Sequence, residues 1–80
     1  MIIWDVEFVE YEAVYEMCKR KFGTSPYRDD GARKICERIL KQSDVIPGDN
    51  LLQVKRNLIA KIGSERIDIL SITNPREVKT

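Results

Sequence analysis

The stretch IIWDVEFVEYEAVYEMCKRKF, residues 2–22, changes its period partway along, and that change decides the fold. Over residues 2–8, Ile2, Trp4, Val6 and Phe8 alternate with Ile3, Asp5 and Glu7, the two-residue period of a half-buried strand. From Phe8 onward Tyr11, Val14, Tyr15, Cys18 and Phe22 gather on one side of a helical wheel, with Glu12, Glu16 and Lys19 opposite. This predicts a strand over 2–8 and a helix over 9–22. Its acids come early, Lys19, Arg20 and Lys21 come late as the helix dipole favours, and Gly23 supplies the stop.

Working outward, Thr24-Ser25-Pro26 reads as a helix start, because Ser accepts free backbone N–H groups and Pro fits the first turn. Asp29 or Asp30 would instead cap a shorter helix. Ala32, Ile35, Cys36, Ile39 and Leu40 follow helical spacing, which predicts a second helix over 26–42. Residues 43–48 (Ser-Asp-Val-Ile-Pro-Gly) read as a turn or loop from their Pro-Gly pair. Asn50 with Gln53 resembles a capping box opening a third helix over 50–62 that buries Leu51, Val54, Leu58 and Ile62 and ends at Gly63. Residues 66–73 are rich in β-branched types and stop at Asn74-Pro75, a second strand.

The expected fold is a single α+β domain over residues 1–80. Its three-helix core carries a small sheet made from the two terminal strands, and helices 2 and 3 form a helix-turn-helix-like pair. A two-stranded sheet is marginal by itself, so the strands are expected to pair with each other or across a homodimer. The five elements, each reversing direction, would leave those strands parallel, an uncommon outcome in so small a sheet, and their orientation stays open.

Composition narrows the function. Of 80 residues, 42% are hydrophobic and 34% charged, the balance of a soluble globular chain. No apolar run approaches the roughly 18 residues of a membrane span, and the start lacks the basic, long-apolar form of a secretory signal, so a cytoplasmic protein is expected. Without His, and with Cys18 and Cys36 the only thiols, too few ligands are present for a zinc site. The two cysteines read as buried thiols. Arg28-Asp29-Asp30-Gly31 holds the only adjacent carboxylates, and these suit helix capping better than a metal. No nucleophile pairs with a base and no glycine cluster cradles a phosphate, so the expectation is no enzyme, no metal and no cofactor.

Charge is distributed unevenly. Residues 1–17 carry a net −5, residues 18–61 a net +6, and the remainder cancels. One reading is that the two segments complement each other across the fold. The other is an anionic partner for the middle of the chain. The third helix bears Gln53, Arg56, Asn57 and Lys61 on an outward arc without an acid, and these residue types suit base edges and phosphate in a major groove. Arg33, Lys34, Arg38 and Lys41 on the second helix would neutralise phosphates. The same faces also serve as ordinary solvated surface. The sequence therefore points to a small regulatory DNA- or other nucleic-acid-binding protein acting through its third helix.

A second reading is of another class. Glu7, Tyr11, Glu12, Tyr15 and Glu16 could form an aromatic anchor with an acidic rim for a protein partner, Trp4 and Tyr27 adding aromatic mass. The chain would then be a protein-interaction module, such as a small phage- or plasmid-encoded inhibitor or adaptor acting on a host protein complex. Core packing is the competing use of those rings.

Overall fold

A computed structural model describes residues 1–79. In chain order the elements are β1 (Ile2–Glu10), α1 (Tyr11–Phe22), α2 (Asp30–Leu40), β2 (Gln42–Pro47), α3 (Leu51–Ile62) and β3 (Ile67–Glu77). The three strands form one antiparallel sheet in the order β2-β1-β3. The α+β class and the three helices are as the sequence implies.

The element missed is β2, where a loop was expected. Ile46 faces Trp4 across β1 and is buried, while Asp44 lies opposite Val6. The Pro47-Gly48 pair thus marks the end of a strand, not a loop replacing one. The added strand also resolves the orientation: with six elements reversing in turn instead of five, β3 returns antiparallel to β1. It equally removes the helix-turn-helix pairing of α2 with α3, because a strand on the sheet edge now separates them.

The pleat sends alternate β1 residues to opposite faces. Val6 and Phe8 join Ile46, Val54 and Leu58 in one buried cluster, with Trp4, Ile62, Ile67, Ile69 and Ile72 packed around it. This is the α3 face. Val9, one residue past Phe8, points the other way and joins Val14, Cys18, Ala32 and Cys36 beneath the α1–α2 pair. The helices therefore sit on two sides of the sheet around two small cores.

Boundaries moved for local reasons. Helix α2 starts at Asp30, not 26, because extended Asp29 caps it by accepting the Ala32 N–H at 3.0 Å. Ser25-Pro26 opens only a turn, in which the Ser25 carbonyl accepts the Arg28 and Asp29 N–H groups. At the other end Lys41 turns extended and feeds β2, so the helix stops at Leu40. Strand β3 continues past Asn74-Pro75: Asn74 takes φ 57, the register shifts there, and pairing resumes to Ile2 opposite Glu77. Pro is tolerated because β3 is an edge strand with one neighbour.

Three expected core residues stay outside. Ile35 is 45% exposed, Ile39 52% and Leu51 52%, since only Ala32 and Cys36 of α2, and Val54 and Leu58 of α3, face a neighbouring layer deeply enough to be buried.

Candidate functional site

Two surfaces carry the residues singled out from sequence, and their geometry differs. On α3 most of the outward arc is already engaged. The Gln53 N–H donates to the N-cap Asn50 Oδ1 at 3.0 Å, and the Gln53 Oε1 accepts the Asp49 N–H at 2.8 Å, one residue before the N-cap N–H that a full capping box would use. The Asn57 Nδ2 donates to the Pro47 carbonyl at 2.8 Å. The Lys61 Nζ lies 2.8 Å from Asp44 Oδ2 and holds that carboxyl below the usual range. Arg56 alone of the four is exposed with no side-chain bond among the described residues. Three of the four side chains thus tie α3 to β2 and its own N-terminus.

On α2, Arg33 sits between Asp30 and Glu37, at 3.0 and 3.5 Å, and Lys41 reaches Glu7 at 2.6 Å. Lys34 and Arg38 are exposed and make no ion pair among the described residues. The N-terminal acids are likewise partly spoken for. Asp5 bonds Arg76 at 2.8 Å and Asn74 at 3.0 Å, Glu7 bonds Lys41 and Ser71, and Glu12 pairs with Arg66. The bonds to Arg76 and Lys41 hold the Asp5 and Glu7 carboxyls below the usual range. Part of the segmental charge asymmetry is therefore cancelled across the fold.

The second surface is at the start of α1. The chain leaves β1 at Glu10 and begins α1 at Tyr11, whose N–H donates to the Arg66 carbonyl at 3.0 Å, just before β3. One helical turn places Tyr11 beside Tyr15 and Glu12 beside Glu16. Tyr11, Glu12, Tyr15, Glu16 and Arg66 line one depression of about 220 Å³. The Tyr11 ring lies 6.3 Å from Tyr15 and 5.9 Å from Tyr27, tilted at 35° and 44°. Lys19 Nζ stands 5.4 Å from the Tyr15 ring centre. Tyr27 and desolvation push the Tyr11 hydroxyl up to about 12.

Four of the five residues proposed for a protein interface thus converge, joined by Tyr27, which is 69% exposed. Glu7 does not join them; it faces Lys41 and Ser71 on the sheet. Trp4 is also elsewhere, its indole N–H donating to the Gly48 carbonyl at 2.8 Å. Arg66 was not singled out from sequence. Its place depends on β3 pairing with the end of β1, Glu10 opposite Ile67, a contact between residues far apart in the chain.

No helix of the described residues is long and apolar enough to cross a membrane. No known protein family, curated protein or solved structure matches the chain.

Proposed function

We propose that this chain is a small binding domain whose partner is another protein, docked on Tyr11, Tyr15 and Tyr27 with Glu12, Glu16 and Arg66 at the rim. The observation that carries the reading is the contiguous run of three tyrosine rings, two of which, Tyr11 and Tyr15, line a depression with the carboxylates of Glu12 and Glu16, while Tyr27 packs on Tyr11. Tyrosine brings large contact area at small cost in side-chain freedom and keeps a polar tip for hydrogen bonds, so it dominates interface energetics. The carboxylates favour a basic segment on the partner. Lys19 over Tyr15 and Arg66 against Glu12 are intramolecular examples of the cations this surface accepts. An inhibitor or adaptor acting on a larger complex is the role such a domain would fill.

DNA binding is the second reading, favoured by exposed Arg56, Lys34 and Arg38, and weakened by the internal bonds of Gln53, Asn57 and Lys61. One comparison separates the two. Tagged wild-type protein and the variants Tyr15→Ala, Glu12→Lys/Glu16→Lys and Lys34→Ala/Arg56→Ala are used to capture cross-linked partners, and each is titrated into labelled duplex DNA at about 50 and 200 mM salt. Under the protein-docking reading, the Tyr15 and Glu12/Glu16 variants lose a partner that the basic-residue variant retains, with a cost for Tyr15→Ala of about 1–2 kcal/mol. Salt-sensitive DNA binding lost only in Lys34→Ala/Arg56→Ala would replace it with the nucleic-acid reading.

A further inference from the structure

The α1–α2 pair is closed by two cysteines that the docking surface does not use. Cys18 projects from the last turns of α1 and Cys36 from the middle of α2, and their Sγ atoms are 3.2 Å apart with both residues fully buried. Both thiols are free. They belong to the second core, in one buried cluster with Val9, Val14 and Ala32, with Met17 and Leu40 packed against it. Two sulfurs held in contact across two helices need only a small approach to bond.

We propose that Cys18 and Cys36 are a dithiol–disulfide pair that an oxidising small-molecule disulfide converts to a covalent staple between α1 and α2. One cysteine thiolate attacks a sulfur of the reagent disulfide, whose other half leaves as a thiol. The second cysteine then attacks the protein-side sulfur of the mixed disulfide and expels the other half. Two protein thiols are oxidised, one reagent disulfide is reduced to two thiols, and the two protons end on those thiols.

The environment sets the rate of this conversion apart from its end point. Burial pushes the Cys18 thiol up to about 11, and Cys36 beside it adds to the rise, so the closed helix pair is slow to react. Attack follows transient opening of the α1–α2 connection, and the second step is fast because the partner sulfur is already in place. The closed ring contains the whole connection between the helices and removes conformational freedom chiefly from the unfolded chain. This inference stands independently of the docking reading.

The test uses the full chain, fully reduced and then exposed to oxidised glutathione. The expected result is loss of the mass of two hydrogens, a Cys18–Cys36 cross-linked peptide that dithiothreitol releases, and a Tm at least about 5 °C above the reduced form. Urea below the unfolding midpoint should speed the conversion by raising the open fraction. A stable glutathione adduct, an intermolecular dimer, or a disulfide that lowers Tm overturns the proposal. So do thiols that stay free when the chain is equilibrated with oxidised glutathione at partly unfolding urea concentrations. Cys36→Ala serves as the control, and its Tm should not respond to the oxidant. The comparison of reduced and oxidised wild-type protein stands whether or not that variant folds.

Discussion

Gly48 is where a single atom decides the packing. Its N–H donates to the Ile2 carbonyl at 2.9 Å and its carbonyl accepts the Trp4 indole, which brings the start of α3 against β1. A Cβ there would lie 2.7 Å from Val54 Cγ2 and 2.8 Å from the Val54 backbone N, and the backbone atom cannot rotate away. Gly48→Ala is expected to cost about 1–3 kcal/mol, measured as a lower urea midpoint at unchanged slope. A midpoint equal to wild type would mean that the approach is looser than described. Asp29 is a second such position: Asp29→Ala removes the acceptor for the Ala32 N–H and should cost about 1 kcal/mol, whereas Asp29→Asn, which keeps an acceptor, should cost little. Both effects belong to residue chemistry, and the cap was visible in the sequence as one of two alternatives. The Gly48 contact was not, because Val54 approaches it only after β2 and α3 have packed.

Between elements, carboxylates do the joining. Asp5 to Arg76 links β1 to β3, Glu7 to Lys41 links β1 to the chain entering β2, and Asp44 to Lys61 links β2 to α3. All three carboxyls are held below their ordinary range in the folded protein, by hydrogen bonds to those cations above all. A carboxyl depressed on folding contributes stability that is complete above its unfolded value and is lost as pH falls through the folded one. Stability should therefore be level near neutrality and decline below about pH 4, the unfolded carboxylate range. Urea melts from pH 7 to pH 3 check this, and Glu7→Gln should flatten the decline while lowering stability at pH 7. The pairs are partly exposed, so high salt should shrink the effect. An acid limb as steep in Glu7→Gln as in wild type would remove Glu7 from this account. None of these partners was readable beforehand, since each joins residues at least 17 positions apart through a register that only the assembled sheet defines.

At the scale of the whole molecule, the sheet separates two cores that share β1 but not their side chains. Leu58 belongs to the α3 side and Val14 to the α1–α2 side. Leu58→Ala is expected to cost about 2–5 kcal/mol, and its effect should add to that of Val14→Ala within about 0.5 kcal/mol. A double-mutant cycle measures this, and a larger coupling would mean that strain passes through the sheet. The sequence by itself determined the three helices and the α+β class, because each helix rests on a local period, a cap or a glycine stop, and it pointed to strands near both ends of the chain. It also set Tyr11, Glu12, Tyr15 and Glu16 side by side through helical spacing alone, whereas Glu7 lies apart from them and Arg66 joins them only through the pairing of β3 with β1. Only the tertiary structure decided the six-residue β2, whose short alternation is too weak a signal until β1 supplies its hydrogen bonds and Trp4 its contact. With β2 came the antiparallel order, the separation of α2 from α3 and the engagement of Asn57 and Lys61. The physical reason is the same for each: a helix closes its own hydrogen bonds along the chain, whereas an edge strand and a surface side chain acquire partners only from residues distant in sequence.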